Sequence, residues 1–295
     1  MDLFLSRCLS AIAHALEHEV LTTPKPGLVD RRNNGSHPDM NPLLFDRSAK
    51  ALLPYFEAFL KTTAALSEDF FLPTLRPLGI TAEVAMRAAT GGINTHKGMI
   101  FNLGLVSCAA LRLVQKKGQQ ALHANDLSSL QDLLKVNGQE LTGELHAASA
   151  KPDGPSVGTD SHGQKMHEAY GVTGARGEAQ RGYPCLFQEA LPALQTYRRQ
   201  YEGRDLPQAL TLCRLILCLE DTALLKRGGP ARQRLFHQRV QRLLASADPK
   251  FPNQVLKDLF ALDDWAIERN LSPGGAADLL AVTLFLEELL QEGTS

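Results

Sequence analysis

Leu9, Ile12, Ala13, Leu16 and Val20 recur at intervals of three and four, the spacing of one face of an α-helix. That helix must end before Pro24-Lys25-Pro26-Gly27, where two prolines and a glycine force a loop. Leu212, Leu215, Ile216 and Leu219 line one face of a later helix, and Leu279, Val282, Leu286, Leu289 and Leu290 line the last. Ser272-Pro273 predicts an N-cap and a first-turn proline for that last helix. Prolines cluster at 24–42, 73–77 and 152–155 and are absent between Pro77 and Pro152. That stretch predicts several helices separated by breaks such as Gly118 and Gly138. The segment Ala147–Gly163, rich in Ser, Gly, Pro and Asp, predicts a flexible loop. No fixed-period repeat and no long linker divides the chain. The pattern predicts a single helical domain over 1–295, with its functional loops between helices.

Residue counts fix the fold class. The chain holds 50 Leu and 34 Ala but only 11 Val and 6 Ile. Helices favour the first pair and strands the second, so an all-α protein is expected. With 44% apolar residues it has the material for a core, which excludes disorder as its main state. A formal charge of −1 excludes a global basic field for nucleic acid. The longest apolar run, Met99 to Val114, falls short of the ~20 residues of a membrane span and contains Asn102 and Arg112. Asp2 and the lack of a basic-then-apolar start give no signal-peptide pattern. Five scattered cysteines, Cys8, Cys108, Cys185, Cys213 and Cys218, lack zinc spacing and read as reduced core residues of a cytoplasmic protein.

Polar residues gather in five Gly/Pro breaks beside apolar helices. The first, Thr22 to His37, carries Lys25, Asp30, Arg31 and His37 around Leu28-Val29, a pair that pins the loop to the core. The second, Gly91 to Gly98, places Asn94, Thr95, His96, Lys97 and Gly98 at a helix start, where free N–H groups and the helix dipole suit an anion or a simple cap. The third, Gly171 to Glu178, sets Arg176, Gly177 and Glu178 among glycines that admit a ligand to the backbone, or form a surface turn. The fourth is Glu220-Asp221-Thr222 with Lys226-Arg227-Gly228-Gly229. Its acidic pair at the end of the Leu212–Leu219 helix opposes that helix's dipole, a conflict that a metal ion, a cationic partner or exposure to water would relieve. The fifth is Ser272-Pro273-Gly274-Gly275 with Asp278 one turn on.

Pooled, the clusters offer Lys25, Lys97, Arg176 and Arg227 for phosphates, and Asp30, Glu178, Asp221 and Asp278 for metal binding or proton transfer. This is the inventory of a polyphosphate site with Mg²⁺. His14 and His18, four apart on the first helix, lack a third zinc ligand at a characteristic spacing and are expected to be structural, and Trp265 to be core. His162 and His167 have no visible partner in the sequence.

The same stretches resemble the triphosphoribosyl-dephospho-CoA synthase family. The matching strings are TPKPGLVDRRNNGSHPDM (23–40), INTHKG (93–98), YGVTGARGEA (170–179), DT…RGG (221–229) and ERNLSPGGAADLL (268–280), in the family's order and over nearly the whole chain. The chain departs from the family pattern at Ala223, where Asn usually follows Asp-Thr, and at Ala276, where Ser is frequent.

The resemblance implies an all-helical transferase acting on ATP and 3′-dephospho-CoA. The 2′-hydroxyl of dephospho-CoA attacks the ribose C1 of ATP, adenine leaves, and the triphosphate stays attached. The product is the precursor of the prosthetic group on the acyl carrier subunit of citrate lyase or malonate decarboxylase, a group installed by a separate transferase. Nucleotide and phosphate binding is expected from Lys25, Gly27, Arg31, Asn94, Thr95, Lys97, Gly98, Arg176, Gly177, Arg227, Gly228, Gly229, Ser272, Gly274 and Gly275. Mg²⁺ is expected on Asp221 or Asp278. Glu178 or Asp30 is expected to take the hydroxyl proton, and His96 or Asp30 to protonate or hydrogen-bond departing adenine. Neither nucleic acid nor membrane is expected as a partner, and a homo-oligomer is compatible with the sequence. The same inventory would also serve a Mg²⁺-dependent hydrolase of a nucleotide or ADP-ribose-like substrate, or a non-catalytic accessory protein of the lyase.

Overall fold

The leucine-rich periodicity is realised as helices. A computed structural model describes residues 2–139, 141–143 and 162–291, and among these there is no β-strand. In chain order the helices are α1 (Asp2–Leu21), α2 (Pro42–Ala65), α3 (Leu72–Ala89), α4 (Lys97–Lys117), α5 (Leu127–Gly138), α6 (His162–Tyr170), α7 (Gly174–Gln180), α8 (Leu191–Gln200), α9 (Asp205–Cys218), α10 (Thr222–Ser246), α11 (Pro252–Glu268) and α12 (Gly274–Gln291). A 3₁₀ turn (Ala124–Asp126) leads into α5, and a π-helical turn (Cys185–Ala190) leads into α8. Of the loop expected at 147–163, residues 147–161 lie outside the described residues, while His162 and Gly163 belong to α6.

Two helices are apolar on all sides and therefore occupy the centre. In α4, Met99, Leu103, Val106, Ala110 and Leu113 are buried together with Leu105, Ala109 and Leu111 on the opposite faces. In α12, every residue from Leu279 to Leu286 is buried. α12 packs against α1, α4, α9 and α10, while α4 packs against α2, α3 and α5. By length and composition α4 is the one helix among the described residues long and apolar enough to cross a membrane, but 78% of its apolar window is buried inside the protein. It is longer than the Met99–Val114 run because its polar ends, Lys97-Gly98 and Gln115-Lys116-Lys117, extend it beyond the core.

Proline marks helix starts at Pro73, Pro192 and Pro252. Pro54 and Pro77 instead lie inside α2 and α3. There the burial of Leu52 and Phe56, and of Leu75, Ala82 and Met86, outweighs a missing N–H. Gly118, with φ +63°, closes α4 in the left-handed conformation.

The smaller expectations fall into place around this core. All five cysteines are unpaired, and four are buried. Trp265 is buried against Phe236, with Arg239 and Arg269 over its ring at 4.5 and 4.7 Å. His14 and His18 stack at 4.1 Å and both turn Nε2 to Arg204. His167 Nδ1 reaches the Val172 carbonyl at 3.2 Å.

Candidate active site

The five polar clusters, scattered over some 250 residues of sequence, meet at one end of α12. The loop between α1 and α2 is the largest component. Asp30 folds it: one carboxylate oxygen accepts the Lys25 N–H at 3.0 Å, and the other accepts those of Arg32 and Asn33 at 2.8 and 3.0 Å. Asp263 of α11 anchors it from below. It accepts the Gly27 N–H at 2.9 Å, Asn33 Nδ2 at 2.9 Å and Arg32 Nη1 at 3.0 Å. Gly27 has φ +76°, and a Cβ there would lie 2.1 Å from the Leu271 carbonyl oxygen, so only glycine fits.

Arg227 and Ser272 complete the anchorage. Arg227 donates to the Ser36 carbonyl, to Asn270 Oδ1 and to His37 Nδ1 at 2.8, 2.6 and 3.0 Å. Because His37 Nδ1 accepts, its Nε2 carries the hydrogen and donates to Ser272 Oγ at 2.8 Å. Burial and the Arg227 charge lower the His37 pKa to about 4, which keeps the ring neutral. Arg227 therefore ties two loops to α10, and Ser272 meets His37 instead of capping α12.

The cap of α12 comes from a distant residue. Asp221 Oδ1 accepts the N–H groups of Ala223 and Leu224 at the start of α10, both at 2.9 Å. Its Oδ2 accepts the Ala276 N–H at 3.0 Å, and the Gly275 N–H also bonds to the carboxylate. One buried carboxylate thus caps two helix N-termini. This resolves the charge conflict read from the sequence: Asp221 faces two positive helix ends, and no metal is required. Its four acceptor positions are filled, and no group of three or more His, Cys, Asp or Glu side chains arranged for a metal ion occurs among the described residues. The Asp221 carboxylate, taken up by these backbone donors, does not fit the role of a Mg²⁺ ligand.

The third cluster joins through α7. Thr173 donates its N–H and hydroxyl to Glu220 at 2.9 and 3.1 Å. Buried Glu178 accepts the Cys185 N–H at 2.6 Å and pairs with Arg181 at 3.4 Å, tying α7 to the π-turn. A Cβ on Gly177 would lie 1.8 Å from Thr173 Oγ1, so that glycine serves packing of the α7 turn. Arg176 is half-buried and makes no ion pair with another described residue. The kink of α10 falls at Gly229, φ +65°. Gly228 abuts Leu271, and Gly274 faces Ala223. Asn94 accepts the Lys97 N–H at 3.1 Å and so starts α4, its capping reading. Two expected phosphate ligands are held by carboxylates elsewhere: Lys97 by Glu83 at 2.9 Å, and Arg31 by Asp205 beside a groove of about 840 Å³.

At the centre lies a second, differently built group. Lys25 is buried and ion-paired with buried Glu19 of α1. His96 is fully buried. Its Nδ1 lies 2.6 Å from Ser48 Oγ, which accepts the Thr95 hydroxyl at 2.7 Å, and its Nε2 has no partner. Burial, then the Lys25 charge, lowers the His96 pKa to about 3. Asp278 rests its carboxyl against Gly98, where a Cβ would come within 1.8 Å of Oδ2. Burial, then the charges of Glu19 and Asp221, holds that carboxyl well above the usual carboxylate range. Glu19 and Ser48 escaped the sequence reading. The signal was present: each is a polar residue on a buried stripe, Glu19 with Ala15 and Leu16, Ser48 with Leu44 and Leu52. Asp263 follows the same rule beside Leu259, Leu262 and Ala266.

Comparison with known proteins addresses the same span. Residues 6–295 match the family model described as CitG: ATP:dephospho-CoA triphosphoribosyl transferase. The chain belongs to this family. A probable 2-(5''-triphosphoribosyl)-3'-dephosphocoenzyme-A synthase of Salmonella gallinarum is 39% identical over 278 residues, 93% of this chain and 88% of that one. A probable synthase of the same name from Vibrio cholerae is 40% identical over 283 residues, 94% and 86% of the two chains. The Escherichia fergusonii 2-(5''-triphosphoribosyl)-3'-dephosphocoenzyme-A synthase is 39% identical over 284 residues, 93% and 88%. No solved structure matches the chain. All five polar clusters lie inside the matched span of the transferase family.

Proposed function

We propose that this chain transfers the 5-triphosphoribosyl group of ATP to the 2′-hydroxyl of 3′-dephospho-CoA and releases adenine. The observation that carries the reading is the meeting of five family-like strings around one end of α12, where a neutral buried imidazole and a carboxyl with no hydrogen bond to another described residue sit beside a buried Lys–Glu pair. Substitution at ribose C1 passes through an oxocarbenium-like state, so the site must activate a hydroxyl, accept the departing base and leave the phosphoanhydrides intact. His96 is suited to the second task as a neutral hydrogen-bonding group rather than as an acid, because its ring stays unprotonated at neutral pH. Arg176 is the cation left for the triphosphate, and the backbone N–H groups of the glycine-rich turns add donors. Magnesium enters with the nucleotide as part of the substrate.

The product is the prosthetic-group precursor for a citrate lyase or malonate decarboxylase carrier subunit, made in the cytoplasm. The hydrolase reading has no support in the family assignment.

The test is adenine release with ATP, Mg²⁺ and 3′-dephospho-CoA, with CoA as control and mass spectrometry of the products. Adenine formation dependent on dephospho-CoA, with a conjugate of both masses less adenine, is the expected result. Phosphate release from ATP alone would overturn the reading.

A further inference from the structure

The site holds several carboxylates, and the hydrogen bonds separate them sharply. Asp30 accepts three backbone N–H groups. Asp221 caps two helices. Glu178 is taken by Cys185 and Arg181, Asp263 by Gly27, Arg32 and Asn33, and Glu19 by Lys25. An acceptor already engaged by several donors is a poor base, since those bonds stabilise its charged form. Asp278 alone among them makes no hydrogen bond or ion pair with a described residue, and it keeps partial exposure at the first turn of α12. The carboxyl lies where it does because residue 98 is glycine: any side chain there would displace it.

From this geometry we infer that Asp278 is the catalytic base that takes the proton from the attacking hydroxyl, with the buried Glu19–Lys25 pair as its positioning and tuning partner. The inference rests on the transferase reading above. In the step, the hydroxyl O–H bond breaks and its proton moves to the Asp278 carboxylate. The oxygen bonds to ribose C1, the bond from C1 to adenine breaks, and that electron pair leaves with adenine. Adenine takes up one proton from water and Asp278 returns one, so the overall reaction neither gains nor loses a proton.

The titratable and charged groups facing this centre come from every element around it: Glu19 from α1, Lys25 from the α1–α2 loop, the neutral His96 from the start of α4 and Asp221 from the start of α10. Burial, then the Glu19 and Asp221 carboxylates, push Asp278 upward, while burial, then Lys25, pushes His96 downward. Two titratable neighbours are thereby driven apart, the carboxyl above the usual carboxylate range and the imidazole below its usual value. A base with a raised pKa is also the stronger acceptor when it is ionised.

The experiment is adenine release by the full chain and by Asp278→Asn, with pH profiles of kcat and of kcat/KM. General-base removal is expected to lower kcat by about 10²–10⁴-fold while KM for both substrates and the thermal melt stay close to wild type. The wild-type profile is expected to fall as pH drops through a value above the usual carboxylate range, and the residual Asp278→Asn rate is expected to lose that limb. Gly98→Ala keeps the carboxyl but moves it, and is expected to lower kcat with the acid limb retained. It keeps the assignment testable if the Asn variant folds poorly. Turnover by Asp278→Asn within about threefold of wild type, or an unchanged acid limb in that variant, overturns the assignment while leaving the transferase reading intact. Wild-type protein that releases no adenine with dephospho-CoA overturns the reaction and this assignment together.

Discussion

The α1–α2 loop and the Lys25–His96–Asp278 centre are neighbours built on opposite principles. In the loop, polar atoms are answered: Asp30, Asp263, Arg227 and His37 spend their hydrogen bonds on backbone and on one another. At the centre, an imidazole nitrogen and a carboxyl are left unanswered by the described residues. Leaving a buried polar group unpaired costs about 1–3 kcal/mol. On the proposed reading, the satisfied group of charges is scaffold and the open one beside it is chemistry. A dense polar motif therefore divides into residues that build a loop and residues that use it, and hydrogen-bond saturation separates the two.

The largest effect that would sharpen this contrast is at the buried ion pair. Lys25→Met leaves Glu19 buried without a counter-charge, and the expected loss is about 3–5 kcal/mol of folding stability. The double variant Glu19→Gln with Lys25→Met removes both charges and is expected to regain most of it. Urea denaturation of the wild type, both single variants and the double variant measures the coupling. A double variant no more stable than Lys25→Met would mean that the pair is not a closed unit, and the centre would lose its tuning partner.

Next in size is Asp221. Asparagine has one acceptor oxygen where aspartate has two, so Asp221→Asn turns an amide N–H₂ toward backbone donors. The expected loss is about 2 kcal/mol of stability. The Mg²⁺ concentration that gives half-maximal turnover is expected to stay at its wild-type value. A Mg²⁺ requirement that rose markedly in Asp221→Asn would place the metal on this carboxylate and break the division between saturated and open groups.

Much of the fold could be read in the sequence for a simple reason. Leu and Ala dominance with helical spacing admits no other class; the α1 stripe falls where the spacing places it, while α12 is buried beyond its predicted stripe, on every side from Leu279 to Leu286. The five clusters were also visible as clusters. Their internal roles were not, because a role depends on the partner, and the partners are long-range. Asp221 caps a helix that begins more than fifty residues later. Ser272, given a local capping role by its own sequence, is claimed by His37 from 235 residues away. Glu19, Ser48 and Asp263 were hidden inside amphipathic helices, where the eye follows the apolar residues. A charged residue in phase with a buried stripe is the pattern to search for.

The smallest expected effect concerns the two departures from the family strings, Ala223 and Ala276. Both positions serve Asp221 through their backbone: the Ala223 N–H bonds Oδ1 at 2.9 Å and the Ala276 N–H bonds Oδ2 at 3.0 Å. Any residue but proline supplies that donor. Ala276 is fully buried, so a serine hydroxyl there would bond back to the carbonyl one turn earlier and leave the cap unchanged. Ala223 is half-buried with its Cβ toward Gly274, and an asparagine would extend from that edge without entering the Asp221 bonds. Ala223→Asn and Ala276→Ser, separately and together, are expected to change adenine release by less than about threefold and stability by less than about 1 kcal/mol. A gain of tenfold or more in the double variant would make those side chains ligands rather than edges. The saturated region would then reach the substrate after all, and its boundary with the open centre would have to be redrawn through Asp221.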